Sequence, residues 1–515
     1  MVSITCYGGV DEIGGNKIIV RDGDTRFSFD FGTSFKRRHD YFEEYLKPRP
    51  GVGLRDVLYM DLLPRLEGIY RHDLVPSPDF WARWRAAPEY RRLTLDGVLL
   101  SHAHLDHSGY ISFLDPEIPI YSTVMTAFIS KAMQDSGQAD FESEVCYANL
   151  RKLDKGVLRS AKISKQRPFV FVDGMPGSGT ASSFWNRLPA KTKEFQLTTN
   201  ASPPDKIGSL PLRHLPVDHS IYGATAFAVQ TSEGWLGYTG DLRLHGGDQE
   251  ETRRFTAEMR KKSPLALICE GTRAGDASGA SEADVYENAL REVRQARSLV
   301  VADFGARNVE RLVTFLGIAR ETGRKLVVLG KDAYLLEAMH LASPQRVPDI
   351  RSCPDILVYE APKAAVRPWE RELRERYASR VVGANDVRQQ QGECILCFSF
   401  WDVNDLIDIE PEEGVYIYSS SEAYSEEQEM DLRRLRNWLK HLDMRFVGDP
   451  EGGDQRFHSS GHASGPDLLE IVRTIGPRIL VPIHTEDAQY FVTNLRSEGI
   501  DVRVPRWGEE MVLQS

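Results

Sequence analysis

A chain of 515 residues with 41% hydrophobic and 27% charged residues has material for more than one domain core and reads as a soluble globular protein. Its formal net charge of −11 argues against a surface that binds polyanions indiscriminately, but leaves room for a local groove where bound cations reverse the field. No stretch approaches the roughly 18 apolar residues of a membrane span, and no basic region followed by an apolar signal core opens the chain. No membrane partner is expected, and the cytoplasm is the default compartment.

In chain order, Met1–Gly9 reads as a first strand running into a glycine turn, and Thr25–Phe31 as another strand. Residues 36–95 read as an insert rich in charge and aromatics, with helix-like stretches at Tyr41–Leu46 and Asp56–Tyr70 and punctuation at Pro48, Pro50 and Gly51. Gly97–Leu100 is a strand that ends at His102-Ala103-His104-Leu105-Asp106-His107. Alternate residues of an extended segment face one way, so His102 and His104 can grip one metal while Asp106 and His107 turn toward a second. Imidazole nitrogen and carboxylate oxygen suit zinc, and two such ions can activate water and clamp a displaced oxygen. Manganese stays open as the ion. A polar loop that happens to hold three histidines is the plain alternative, and with thirteen histidines in the chain it is the weaker one.

Further along, Arg151–Arg167 is locally basic through Lys152, Lys155, Arg159, Lys162 and Lys165, and reads first as a solvated face. Residues 165–206 read as a second irregular insert. Its segment Gly174–Thr180 is followed by no GK[ST] and no helical pattern, so it is expected to be a surface loop. His219 follows apolar Leu215, Asp241 ends the strand Trp235–Tyr238, and His484 follows Ile479–Ile483. Each lies just past a strand end. One such residue alone is a weak signal, but His, Asp and His following the cluster complete two coordination shells around a shared carboxylate.

From about 264 strands and helices alternate: Leu265–Cys269, Ser281–Arg297, Leu299–Phe304, Asn308–Thr322, Lys325–Leu329, Ala333–Ala342, Ile356–Tyr359 and Trp369–Tyr377. Val415–Tyr418 and Glu426–Leu442 close the series, which is the pattern of a parallel sheet covered by helices. Cys394-Ile395-Leu396-Cys397 is the only CxxC and lies in an apolar run, so it reads as buried strand rather than a metal knuckle.

Together, Asp30 in Asp30-Phe31-Gly32, the histidine cluster, His219, Asp241 and His484 resemble the metallo-β-lactamase superfamily. The resemblance implies an α/β fold, an αββα sandwich. It implies two zinc ions, one held by His102, His104 and His219, the other by Asp106, His107 and His484, with Asp241 bridging them. Asp30 would orient the histidine loop without being a ligand. Asp241 and His484 are 243 positions apart (484 − 241), too many for a compact hydrolase of this kind, so the α/β segment between them is an inserted domain. Glu270 in Glu270-Gly271-Thr272, His462 in Ser460-Gly461-His462-Ala463-Ser464 and His484 resemble motifs A, B and C of the β-CASP nucleases. The opening Gly8-Gly9-Val10-Asp11-Glu12-Ile13-Gly14-Gly15-Asn16 is similar to that of the ribonuclease J family.

The organisation this implies is residues 1–247 as the first part of the metallo-β-lactamase domain, 248–445 as the β-CASP domain and 446–515 as the return. The glycine of SGH would permit close approach to phosphate, with a helix N-cap at Ser460 or Ser464 as the structural alternative. Phe304-Gly305-Ala306-Arg307-Asn308-Val309-Glu310-Arg311 resembles a family segment near the RNA 5′ end, with Glu310 in place of a histidine. His458, Ser460, Ser464, Asn308 and Arg311 are therefore the expected substrate contacts. The chain stops soon after Trp507, so neither an added C-terminal domain nor an N-terminal RNA-binding domain is expected, and homo-oligomerisation stays open.

The function implied is a metal-dependent ribonuclease acting on single-stranded RNA, 5′–3′ exonuclease, endonuclease or both. Asp106 and its neighbours hold the metals, hydroxide attacks phosphorus in line, His462 protonates the leaving 3′ oxygen, and Glu270 orients either His462 or a metal ligand. The products would be a 5′-phosphate and a 3′-hydroxyl. A small-molecule metallo-hydrolase of the same superfamily and a non-catalytic RNA-binding subunit are the competing readings.

Overall fold

The computed structural model describes all residues except 44, 139, 190–192, 199–201, 278, 421–425, 453–455 and 515. Two seven-stranded sheets lie face to face. The first runs Phe169–Phe171, Ile120–Ser122, Gly97–Leu99, Thr25–Phe29, Ile18–Asp22, Val2–Cys6, Glu510–Leu513. The second runs Lys206–Ile207, Leu210–Pro216, Thr225–Thr231, Gly234–Tyr238, Ala266–Glu270, Ile479–Ile483, Asp501–Val502.

Strand alternation explains the layering. In Thr225–Thr231, Phe227 and Val229 join Ile4, Phe29, Leu99 and Val481 in the core between the sheets. Ala226 and Ala228 turn the other way, onto helices Gln249–Lys262 and Gly465–Ile475. On the first sheet Leu99 faces the partner sheet, while Val98 and Ile120 face helix Val124–Ser136. The result is helix, sheet, sheet, helix: the expected αββα sandwich.

A third sheet lies in sequence between Ala266–Glu270 and Ile479–Ile483. Its order is Val381–Val382, Ile356–Tyr359, Lys325–Leu329, Cys394–Cys397, Val300–Asp303, Val415–Tyr418, Arg445–Val447, and every pairing is parallel. Such a sheet must be covered on both faces. Val300, Leu326 and Val328 meet Phe315 and Leu336 on one side, while Val301, Val327 and Leu396 meet Leu406 and Leu435 on the other. Cys394 and Cys397 are buried strand residues and all six cysteines are free.

Several expectations need correction. Strand Ala266–Glu270 pairs with Gly234–Tyr238 and Ile479–Ile483, so residues 249–270 pack with the second sheet and the inserted sheet starts only at Val300. The described residues of 41–46 are not helical, and Glu44 lies outside them. Glu43 accepts hydrogen bonds from the Tyr45 and Leu46 amides in a turn whose side chains are exposed, and the helix forms earlier, at Phe35–His39, behind the Ser34 cap. The helix expected over 56–70 is confined to Leu54–Tyr59. Pro64 carries no amide donor to continue a helix, and Leu66–Glu67 pairs instead with Arg91–Arg92. Gly174–Thr180 does lead into a helix, Gly179–Trp185, because Ser178 accepts from the Ala181 amide and Ala181, Phe184 and Trp185 are buried. The basic run 151–167 forms most of a hairpin, with Lys152, Lys155, Arg159 and Lys162 exposed. No helix among the described residues is long and apolar enough to cross a membrane.

Buried charge joins the inserted sheet to the sandwich. Arg243, fully buried, pairs with Asp218 (3.1 Å), with Glu282 (3.1 Å) and with Glu310. Arg311, expected to contact substrate, is also fully buried. It donates to Glu282 and to the Ser419 and Phe457 carbonyls, so it braces the protein interior. Removing one member of a buried ion network leaves its partner uncompensated, which typically costs about 3–5 kcal/mol. Arg311→Ala is expected to lower unfolding free energy by that order in a denaturant titration, whereas the exposed Arg253→Ala is expected to change it by less than about 0.5 kcal/mol.

Candidate metal centre

Loops from both sheets of the sandwich converge at one end. His102, His104, Asp106 and His107 follow strand Gly97–Leu99. His219 follows Leu210–Pro216, Asp241 follows Gly234–Tyr238, and His484 follows Ile479–Ile483. His484, at φ 55°, and the nearby Asp30, at φ 50°, carry left-handed backbone, a strain typical of sites the surrounding structure over-determines. The approach is close: a Cβ on Gly32 would lie 1.6 Å from the Asp106 carbonyl oxygen, so only glycine can follow Asp30-Phe31.

The structure brings all seven expected ligands together. His102, His104, His219 and Asp241 form one group and Asp106, His107, Asp241 and His484 another, so Asp241 is common to both. A third group joins Asp241, Glu270 and His462. In the first group the His104 Nδ1 atom lies 3.0 Å from His102 Nε2 and 3.1 Å from His219 Nε2. Donors on a tetrahedral zinc at about 2.0–2.1 Å stand roughly 3.3 Å apart, so the donor set fits such an ion. Asp241 Oδ2 is 3.1 Å from His107 Nε2 and 3.6 Å from His102 Nε2. Its Oδ1 is buried without a hydrogen-bond partner, as expected of an oxygen reserved for a cation.

Three of the rings are oriented through their other nitrogen, which leaves a lone pair toward the centre. His107 Nδ1 donates to Asp30 Oδ2 at 2.7 Å, and His219 Nδ1 donates to the Gly461 carbonyl at 2.5 Å. His484 Nδ1 donates to Thr272 Oγ1 at 2.8 Å, whose hydroxyl in turn donates to Glu270 Oε2 at 2.7 Å. Asp30 also accepts from the Ser101 amide (2.7 Å), the Ser101 hydroxyl (2.8 Å) and the Tyr238 hydroxyl (2.5 Å). It therefore holds the loop, as expected of a residue that is not itself a ligand.

In the first group the electrostatics match these roles, while burial is outweighed at His107 by the carboxylates of Asp241, Asp106 and Asp30, which push it well above the ordinary histidine range. Burial, with neighbouring imidazoles adding to it, holds His102 and His104 well below the ordinary histidine range, and burial takes His219 down to about 4. Neutral imidazole is the ligating form. Burial opposes charge on Asp241 too, but His107 and His484 outweigh it and keep its carboxyl well below the usual range. His462 Nδ1 donates to Glu270 Oε2 at 2.9 Å. Against the opposing effect of burial, Glu270 and Asp241 push His462 up to about 9.

The expected substrate residues divide. His458, Ser460 and Asn308 line a cleft of about 630 Å³ together with His104 and His462. Ser464 does not: it is buried, and its hydroxyl caps helix Gly465–Ile475 by accepting from the Asp467 amide. The glycine of SGH serves a protein contact, since a Cβ on Gly461 would come within 2.6 Å of Ser220 Oγ and 2.9 Å of the His219 ring. Sequence reasoning missed Thr272, Ser101, Tyr238 and Arg243. Tyr238 and Thr272 stood inside quoted motifs, but a hydroxyl near a motif carries no signal until its partner is known. Arg243 also donates to the Ser460 carbonyl at 3.1 Å, so one side chain braces both the His219 loop and the His462 loop.

Removing a partner that orients a metal-binding histidine typically costs 10- to 100-fold in metal affinity. Asp30→Ala is expected to weaken metal retention by about that factor, and Tyr238→Phe by less, because Ser101 still donates to Asp30. Competition with a chromogenic chelator measures both.

With this geometry established, comparisons with known proteins can be weighed. Residues 455–505 match a family model described as the Zn-dependent metallo-hydrolase RNA specificity domain. Ribonuclease J of Sinorhizobium meliloti is 22% identical over 77% of this chain, and the match covers 59% of that protein, so this chain spans under two thirds of its length. Ribonuclease J of Pyrococcus abyssi is 22% identical, covering 84% of this chain and 85% of the relative. That of Mycobacterium tuberculosis is 23% identical over 93% of this chain and 68% of the relative. A crystal structure of a protein of unknown function from Enterococcus faecalis superposes with a TM-score of 0.67 at 23% identity, covering 99% of this chain and 100% of that one. In sequence and architecture the chain is ribonuclease J-like, a metallo-β-lactamase sandwich carrying a β-CASP insertion.

Proposed function

We propose that this chain is a metal-dependent ribonuclease that hydrolyses phosphodiester bonds of single-stranded RNA at a dinuclear zinc centre, cutting from the 5′ end, internally, or both. The observation that carries the reading is a carboxylate, Asp241, common to two buried ligand groups, with the His462–Glu270 pair at its edge. The similarity to ribonuclease J supports RNA as the substrate.

His102, His104 and His219 would hold one ion and Asp106, His107 and His484 the other, with Asp241 within reach of both groups. When bound, the ion pair supplies Lewis-acid activation of water near neutral pH and neutralises phosphate charge. The chain's own residues supply positioning and the proton. Glu270 is fixed by the Leu242 amide (2.7 Å) and by Thr272, and it holds His462 in one tautomer at the cleft. Protonated His462 donates to the leaving 3′ oxygen, leaving a 3′-hydroxyl on one product and a 5′-phosphate on the other. The cleft lies between the third sheet and the sandwich, and its lining loops (305–308, 419–420 and 458–462) would admit a single strand.

The test is metal-loaded protein with a 5′-monophosphorylated RNA labelled at either end. Early release of mononucleotides from the 5′ end marks exonuclease action, and internal fragments mark endonuclease action. Turnover of a generic phosphodiester with RNA left intact would favour a small-molecule hydrolase, and RNA binding without cleavage a non-catalytic subunit.

His462→Ala is expected to lower kcat by about 10²- to 10⁴-fold with metal content near normal by atomic absorption. Because the acid must be protonated, activity falls as pH rises through the His462 pKa. Glu270→Gln removes the charge that raises that pKa, so the alkaline limb of the kcat profile is expected to move down by about one unit or more.

A further inference from the structure

Among the deeply buried arginines of this protein, saturation is the rule. Arg71 is taken up by Asp73, Glu144 and the Ser112 and Asn149 carbonyls. Arg167 is taken up by the carbonyls of Ser112, Leu114, Asp115 and Glu144, and Arg243 and Arg311 by the ion network. This is what physical chemistry demands, since a guanidinium cannot shed its charge and its five donors need acceptors when water is excluded.

Arg307, half-buried, is held differently. It sits in the loop after strand Val300–Asp303, and its side chain lines the cleft with His104, His458, Ser459, Ser460 and His462. Its Nη1 is buried without a hydrogen-bond partner. Among the described residues no carboxylate lies within ion-pair distance of it. Because His104 and His462 line the same cleft, the guanidinium lies on the side of the cleft that borders the metal centre. Asp106 does not satisfy it, because that carboxylate faces His484 at 3.2 Å and His107 at 3.6 Å. Ser459, itself 2% exposed, brings a second unpartnered polar atom, Oγ, to the same cleft.

A half-buried guanidinium whose Nη1 is buried without a partner, on the wall of a cleft, is a receptor for an anion that arrives from outside. Its planar fork matches two oxygens of a phosphate better than any other common anion does except a carboxylate. On a molecule of net charge −11, a local cation at this point is what lets a polyanion approach. We propose that Arg307 binds a non-bridging oxygen of the RNA phosphodiester seated against His104, so that the inserted sheet, and not the metal layer alone, holds the reacting strand. This inference rests on the ribonuclease reading and adds to it a specific substrate-binding residue.

The experiment compares wild type, Arg307→Lys and Arg307→Ala. Binding of a labelled single-stranded RNA is followed by anisotropy on chelated protein, where no turnover occurs, and kcat/KM on metal-loaded protein. Arg307→Ala is expected to bind RNA roughly 10- to 100-fold more weakly, the range for a lost charge-assisted hydrogen bond. The slope of log K against log salt should fall by about 0.7, one phosphate contact on a single strand. Arg307→Lys should fall between, keeping the charge but not the fork. Metal content should stay unchanged and the melting temperature unchanged or higher, since a structural arginine would lower it when removed. If wild type binds and cleaves RNA but Arg307→Ala retains its affinity and salt slope, the receptor role is overturned and the ribonuclease reading stands. If wild type neither binds nor cleaves RNA, both are overturned.

Discussion

Seven side chains at the end of the sandwich point lone pairs and negative charge at one another, an arrangement that no local segment would adopt unaided. In the ligating tautomers, with a lone pair on each nitrogen facing the centre, ring nitrogens 3.0–3.1 Å apart repel in the absence of a cation. The two sheets impose the arrangement, because the register of buried strands such as Ala266–Glu270 against Ile479–Ile483 leaves their following loops no other place to go. The repulsion is offset from behind by hydrogen bonds to Asp30, Gly461 and Thr272, each of which takes up the ring proton that the centre does not want. Everything else at the site serves this frame.

The inserted sheet is tied to that frame by charge as well as by packing. Arg243 reaches from the Asp241 loop to Asp218, Glu282, Glu310 and the Ser460 carbonyl. One residue therefore links the metal layer, the helices of the inserted unit and the loop that carries His462. A second link joins two helices: Val124–Ser136 meets Gly330–Ala342, and the Tyr334 hydroxyl donates to Asp135 at 3.0 Å. The cleft lies between these two ties, so its width depends on both. Asp218 is pushed up to about 6 by burial against the opposing pull of Arg243, which makes the network sensitive to substitution of any member.

Legibility from sequence followed the range of the interaction. Strands with clear apolar runs, such as Lys325–Leu329 and Ile479–Ile483, were readable because burial on both faces demands such runs. The helix Ser281–Arg297 was readable from its polar start and apolar spacing, and Ser281 with Asp284 does form a capping box. Residues 41–46 and 56–70 misled because aromatic and apolar residues there serve a local turn and a two-stranded pairing, which periodicity does not encode. The short helix after Ser178 was missed for the opposite reason, a glycine-rich lead-in that hid an effective cap. Arg311 and Ser464 looked like substrate contacts because they stand beside motif residues, yet burial assigns one to an ion network and the other to a helix terminus.

The amino-acid order by itself determined the donor chemistry: which residues could ligate, that they lie just past strand ends, and that a long α/β segment separates Asp241 from His484. These follow from side-chain type, strand period and spacing, all of which are local. Only the tertiary structure decided that Tyr238 and Ser101 secure Asp30, and that Arg307 lines the cleft with a buried Nη1 that has no partner. Those facts depend on contacts between residues up to hundreds of positions apart, and the chain carries no local trace of which side chain a buried proton or charge will meet.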